Sequence, residues 1–451
     1  MTRVAIIGGG ISGLSAAYYL SRAGIPFTLF EAEARLGGVI RTDHAAGCLV
    51  EAGPDSWIAQ KPAALELVRE LGLEDQVIGS NDDRRKTYIV RRRKLIPIPE
   101  GMQLLAPTRL MPVLKSRLFG LRTKIRMGLE LLRRPAQHSE RTVAEFVRDH
   151  FGDELNEYLA QPMLAGVYGG SPEQLSVDSV LPMFVEYERR YGSLARGALK
   201  KIRPSSSGSL FLTLMGGLGT LVSTLEKSIT PSGTIVSRRV LQISRDAAHW
   251  TLKLDGGDFE AEHVVTALPA NTTAKLLAST SGEISELLAA IPYSSSITSG
   301  LVYRRPEFDH PLDGFGMLIP RAENRLLAAC TWVERKFDHR TSGDATLLRA
   351  FFAGETADSL MNESDDAIEA RTHAELSELM RFASKPVDRR VNRWPKKMAL
   401  YTVGHGARLA KINELAKGLP GLHLGGNGYD GIGIPDCIRR SKAIAATIAG
   451  R

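Results

Sequence analysis
Gly8, Gly10 and Gly13 stand in the spacing G-x-G-x-x-G, directly after the apolar run Val4–Ile7 and at the head of a small-residue stretch, Ser12 to Ala23. The chemistry this spacing suits is the holding of a pyrophosphate. A glycine turn lets backbone approach the phosphates, and the free N–H groups at the start of the following helix face their negative charge. Gly9, Ile11 and Ser12 belong to the same turn. The next apolar run, "PFTLFE", ends in Glu31, about 20 residues on, where a carboxylate accepts hydrogen bonds from ribose hydroxyls; Ala32 follows it. The motif serves FAD and NAD alike.

A second glycine turn lies at the end of the chain. "GGNGYDGIG", from Gly425 to Gly433, holds five glycines in nine positions and precedes a run that reads as helix. A dinucleotide is long, and its two ends need separate backbone contacts. A nicotinamide-only dehydrogenase has no reason to return to its cofactor from so far along the chain, so FAD is the expected cofactor.

A sheet-and-helix scaffold must carry these residues. Val4–Ile7 reads as a strand buried on both faces, Ser12 to Ala23 as its helix and "PFTLFE" as the adjacent parallel strand. The expected fold class is α/β and α+β, with a Rossmann-type FAD-binding domain assembled from the discontinuous segments 1–83, 206–270 and 391–451. A helical, basic region is expected over 84–205, and alternating strands and helices without a cofactor signature over 271–390. "GTIVSRRVLQISRDAAHWTLKLDGGDFEA" predicts three strands, the last hairpin turning at Asp255 to Gly257, and "HVVTALPA" a further buried strand. Gly216, Gly217 and Gly219 read as a tight turn into a helix.

Composition bounds the function. The 451 residues are 43% hydrophobic and 24% charged, as in a soluble protein of more than one domain. Cys48, Cys330 and Cys437 have no metal-ligand spacing, so a reduced, intracellular protein without a metal is expected. "MTRVAIIGGG" is not a secretory signal, and no stretch reaches the roughly 18 uncharged apolar residues of a membrane span.

The formal charge of +8 is unevenly placed. Between Arg84 and Arg134 stand 15 Lys or Arg against Glu100 and Glu130, a balance of +13, which leaves −5 for the rest of the chain. Such a segment attracts phosphates, anionic lipid or carboxylate substrates. Leu104 to Leu132 is apolar on one side and basic on the other, which fits a core-facing helix pair or a helix lying on a membrane surface. Interleaved aromatics and nucleic-acid modules are absent, so no nucleic-acid partner is expected.

Taken together, "GGGISGLSAAYYLSRAG", "EARLGGVIRT", "EAGPDS", "GGLGTL", "VVTALPA", "GFGMLIP", "ACTW", "YTVGH" and "GNGYDGIGIPDCI" resemble the porphyrinogen oxidases of haem biosynthesis, FAD enzymes of the flavin amine oxidase superfamily. The resemblance implies oxidation of protoporphyrinogen IX or coproporphyrinogen III to the porphyrin in three two-electron steps, with oxygen as acceptor and hydrogen peroxide as product. It places Arg35, Gly37, Gly38, Val39, Gly53, Pro54, Asp55, Ser56 and Val240 at the FAD, and points the last helix at the flavin ring with Asn427, Ile432, Gly433 and Ile434 beside it. It makes 84–205 a helical region that meets membrane and substrate, and 271–390 a mixed-sheet substrate domain. It places Lys86 on a substrate carboxylate and lets Met317 and Leu318 line an apolar slot. It further implies a cytoplasmic protein with peripheral contact to anionic membrane lipid, a ferrochelatase-type partner, and a monomer or homodimer.

The reaction removes a hydride from a meso carbon, and the flavin accepts it, so no side-chain nucleophile is required. No firm catalytic side chain stands out; Asp55 is the one polar candidate at the ring. The alternatives are another oxidase or desaturase of the superfamily, which the basic rim disfavours for an amine substrate, and a non-catalytic flavoprotein scaffold.

Overall fold
The computed structural model describes residues 3–201, 208–246 and 249–450. The boundary expected at 205/206 lies outside them.

Two sheets organise the chain. The first has five parallel strands in the order Gly233–Ser237, Phe27–Glu31, Val4–Ile7, His263–Ala267, Leu422–Gly425. Val4 and Ile6 face the helices Ile11–Arg22, Gly219–Ile229 and Ile434–Ile448. Ala5 and Ile7 face a small antiparallel sheet of Val240–Arg245, Trp250–Leu254 and Gly257–Ala261. Burial on both sides is why the first strand is uniformly apolar. Where three strands were expected between Gly233 and Ala261, four form. Gly233–Ser237 pairs with Phe27–Glu31 and joins the parallel sheet instead.

The second sheet has seven strands, in the order Asp388–Ala399, Tyr293–Arg304, Ala345–Ala353, Ala329–Trp332, Gly316–Leu318, Thr87–Arg91, Lys94–Pro97. All pairs are antiparallel except Gly316–Leu318 with Thr87–Arg91. Helices Gly354–Leu360 and Asp365–Met380 pack on one face. The region expected to be helical from residue 84 thus opens with a β-hairpin, closed by Arg92 and Arg93 at φ 51° and 60°. Asp388–Ala399 likewise runs past the boundary drawn at 390.

Helices Val143–Phe151, Gln161–Tyr168, Pro182–Tyr191 and Leu194–Lys201 contribute to one apolar cluster. Glu130 is buried among them, bonded to His150 and to the main chain of Leu194. The amphipathic stretch forms Leu110–Lys115 and Leu121–Glu130. A core-facing pair does not describe it: Leu121, Ile125, Leu129 and Leu132 are 54% to 76% exposed, while Thr123 and Met127 turn inward.

Candidate cofactor groove and substrate seam
The two glycine turns leave the same end of the parallel sheet, from strands separated only by His263–Ala267. The chain leaving that middle strand passes close to both. A Cβ on Gly8 would lie 2.7 Å from the Ala267 oxygen, and one on Gly426 would lie 2.8 Å from the Leu268 oxygen. Both glycines have positive φ, 105° and 116°, so side chains are excluded by space and by backbone.

The first turn fits a pyrophosphate. A Cβ on Gly13 would come within 1.8 Å of the Gly8 oxygen, so only glycine lets the helix start this close to the strand. Over Gly10 the same test meets no atom within 4 Å, which leaves that approach open. No side chain caps the helix at Gly10, so the N–H groups of Ile11, Ser12 and Gly13 are presented by the backbone alone. Glu31 accepts from Gly9 N–H at 2.7 Å and Glu33 N–H at 2.8 Å, which fixes its carboxylate at the strand end with acceptor capacity left for hydroxyls. Ala32 is exposed beside it. Val240 begins its strand three residues after Ser237, the partner of Glu31 across the sheet.

The second glycine pair continues this wall. Gly37 N–H donates to the Gly9 oxygen at 2.8 Å, and a Cβ on Gly38 would lie 3.2 Å from the Gly10 Cα. Arg35 folds this loop by donating to the main-chain oxygens of Leu36, Gly38 and Ile40. A Cβ on Gly53 would lie 2.0 Å from the Val39 oxygen, so the Gly53–Ser56 segment follows directly. Lys61 pairs with Asp436 of the terminal helix at 2.6 Å. These contacts tie the first turn, through Gly37–Gly38, Gly53 and Lys61, to the terminal helix.

The terminal turn is braced from behind. The Asn427 side chain donates to the Lys397 oxygen at 2.8 Å and its Oδ1 accepts from Tyr293 Oη at 3.5 Å, while its main-chain oxygen accepts from Tyr401 Oη at 2.8 Å. Tyr401 Oη also accepts from Gly431 N–H at 2.9 Å. Ile432 and Gly433 are half-buried, and Gly433 opens the helix of Ile434 without a side-chain cap. Asn427 is thus a brace; sequence reading missed its partners Tyr293, Lys397 and Tyr401, although "YTVGH" was in view.

The second sheet turns its other face to this wall. Thr298 Oγ1 and Trp394 Nε1 both donate to the Ala52 oxygen at 2.8 Å. Arg349 donates to the Gly53 oxygen. Lys336 Nζ lies 3.0 and 2.9 Å from the two oxygens of Asp55, whose Oδ1 also accepts from Ser56 at 2.6 Å. Burial would raise the Asp55 carboxyl, but Lys336 and Arg349 outweigh it and hold the group far below the usual carboxylate range. An acid held ionised in this way serves as a counter-ion to Lys336 and Arg349. Behind it, Glu51 accepts from Leu218 N–H at 2.7 Å and Thr42 at 2.8 Å, closing the tight turn that Gly217 makes at φ 88°. Burial pushes Glu51 up to about 7.

The expected substrate residues are dispersed. Met317 is fully buried in the cluster of Tyr303, Trp332 and Ile368, because alternation along the strand turns it to the helix-covered face. It is core and lines no slot. Leu318, on the opposite face, is half-buried against the helical cluster. Lys86 stands at the start of its strand, 2.6 Å from Asp313, which also accepts from Tyr88 Oη at 2.7 Å.

Residues 11–449 match the family of flavin-containing amine oxidoreductases. The chain is 33% identical to the coproporphyrinogen III oxidase of Bacillus subtilis (strain 168), covering 98% of this chain and 96% of that one. It is 24% identical to protoporphyrinogen oxidase 2, chloroplastic/mitochondrial, of Arabidopsis thaliana, over 96% and 91% of the two chains. A crystal structure from Exiguobacterium sp. 255-15, assigned as a protoporphyrinogen oxidase, superposes with a TM-score of 0.90 at 31% identity, covering 99% of this chain and 98% of that one. The two glycine turns, the anchored Glu31 and the wall between them fit a flavin dinucleotide, and the chain belongs to the flavin-containing amine oxidoreductase family, with FAD as its cofactor.

Proposed function
We propose that this chain oxidises a porphyrinogen, with coproporphyrinogen III as the preferred substrate, to the porphyrin in haem biosynthesis, using oxygen and releasing hydrogen peroxide. The observation that carries this reading is the end-to-end similarity to a coproporphyrinogen III oxidase, 33% identical across 98% of the chain. The flavin supplies the hydride acceptor. The chain's own part is to hold the macrocycle against it and exclude water, which the face of the second sheet opposite its helices supports with Leu318 and Phe351. Three hydrides and three protons leave in all, matched by three oxygen molecules reduced to peroxide.

The basic helical segment supplies a second element of the reading: contact with an anionic membrane surface. Leu121, Ile125, Leu129 and Leu132 are exposed, and Arg109, Lys115, Arg117 and Arg122 beside them are exposed without ionic partners among the described residues. No helix among those residues is long and apolar enough to cross a membrane, so such contact would be peripheral.

Purified yellow protein incubated in air with each porphyrinogen tests the reading by porphyrin fluorescence. Faster formation of coproporphyrin than of protoporphyrin, both above a protein-free control, is expected. The reverse order would move the preference to protoporphyrinogen, and no excess over control would overturn the porphyrinogen assignment while leaving the FAD site intact.

A further inference from the structure
The wall segment Ala52–Ser56 is backed by an unusual density of buried charge. Arg349 projects from Ala345–Ala353, a strand otherwise apolar apart from Thr346, and its side chain is only 3% exposed. It donates to the Gly53 oxygen, its Nη1 lies 3.8 Å from Asp55, and its Nε is buried without a hydrogen-bond partner. Lys336 reaches the same carboxylate from the short helix Val333–Lys336. Arg340 is buried nearby on Thr213, with Glu51 as an electrostatic neighbour. Three cations thus stand against two acids, Asp55 and Glu51. The excess is at least one positive charge even with Glu51 ionised. The start of the helix Gly219–Ile229, where Glu51 accepts from Leu218 N–H and Thr42 Oγ1 from Gly219 N–H, adds to it.

A buried net charge is costly unless an anion uses it. The wall that this cluster backs connects the pyrophosphate turn to the terminal turn, alongside the groove. We propose that Lys336 and Arg349 form a buried cationic clamp, with Asp55 as its partial counter-ion, which positions the Gly53–Ser56 wall and stabilises the negative charge that the flavin gains on accepting a hydride. The inference rests on the FAD-dependent oxidation proposed above and assigns these residues a positioning and electrostatic role. Asp55 then sets the strength of the clamp by how much of the cation charge it cancels.

The test is the midpoint potential of FAD in the purified holoenzyme, with flavin content and visible spectrum measured alongside. Asp55→Asn removes one negative charge and is expected to shift the potential upward. Lys336→Gln keeps a donor for Asp55, removes one positive charge, and is expected to shift it downward. Arg349→Lys, which retains the charge, is expected to stay near the wild-type potential. Opposite shifts at full flavin content support the clamp. Unchanged potentials in FAD-loaded variants, or shifts of the same sign, overturn it and leave these residues a structural role. If Asp55→Asn does not retain FAD, Lys336→Gln decides alone: a downward shift supports the clamp and an unmoved potential overturns it. A wild-type protein that fails to oxidise porphyrinogens while holding FAD would defeat the substrate reading and leave this measurement meaningful.

Discussion

Ser441 Oγ donates to the main-chain oxygen of Ser12 at 2.8 Å, and both residues are buried. The bond fastens the helix that follows the last glycine turn to the first turn of the helix that follows the first. Two segments more than four hundred residues apart in the chain are thereby set at a fixed spacing, and a dinucleotide that must touch both turns meets them already held together.

Ser441→Ala removes this single donor. A buried neutral hydrogen bond contributes about 1 kcal/mol, so the variant is expected to fold with a slightly lower Tm and to release FAD faster than wild type. Flavin-fluorescence melting and stopped-flow release into an excess of an FAD-binding apoenzyme would measure both. An unchanged release rate would mean that apolar packing alone sets the spacing.

Glu51 and Asp55, four residues apart, titrate in opposite senses. Burial raises the Glu51 carboxyl from 4.5 to about 7 in the folded state. The folded protein therefore holds that proton more tightly than the unfolded chain. Its contribution to stability is full below about 4.5 and is lost as the pH rises through about 7, a change on the order of 3 kcal/mol. Asp55 is depressed by Lys336 and Arg349, so its contribution is present above the ordinary aspartate range and lost in acid. Urea unfolding of Glu51→Gln beside wild type is expected to show the variant gaining relative stability between pH 5 and pH 8. A difference that does not vary with pH would refute the assignment.

How much of this was legible in the sequence follows from how local each signal is. The first turn, its strand and Glu31 lie within some thirty residues, and the glycine spacing states its own reason: Gly13 cannot carry a Cβ. The terminal turn was legible because its glycines are so dense. The cationic clamp was not read, since Lys336 comes from a short helix and Arg349 from a strand of the other sheet, and they meet Asp55 only in three dimensions. One signal was available: Arg349 interrupts "ATLLRAFFA", and a charge inside a buried strand must find a partner. The hairpin Thr87–Pro97 was hidden by its own turn, where Arg92 and Arg93 read as part of a charge run. Met317 and Leu318 were read as a pair, although adjacent strand residues point to opposite faces.

Lys86 offers a sharp contrast between binding and stability. Its pair with Asp313 is close to half exposed, so breaking it is expected to change stability by less than about 1 kcal/mol. If the ammonium also meets a substrate carboxylate, Lys86→Met raises KM for the porphyrinogen several-fold while kcat and Tm hold. Asp313→Asn, which frees the ammonium from its acid, is then expected to lower KM. Equal KM values in both variants would assign Lys86 to the surface pair alone.

The exposed row on Leu121–Glu130 carries the last prediction. Leu121, Ile125 and Leu129 recur every four residues, so they share one face of the helix, and Leu132 extends it beyond the last turn. Thr123, Met127 and Glu130 turn the other way, and Glu130 is anchored to His150, Ser193 and Leu194. The apolar face is therefore held outward by a buried polar contact on the opposite side. Replacing Leu121, Ile125 and Leu129 together by Ser removes apolar surface that water already touches, so the fold and the FAD content are expected to survive. Sedimentation with vesicles containing phosphatidylglycerol is expected to fall at least tenfold relative to wild type, and wild-type binding itself to weaken with salt, because Arg109, Lys115, Arg117 and Arg122 border the row. Retained binding by the triple variant would show that the cations act without the leucines. No binding by wild type would assign the row to a protein partner or to a second copy of the chain, which sedimentation velocity would then distinguish.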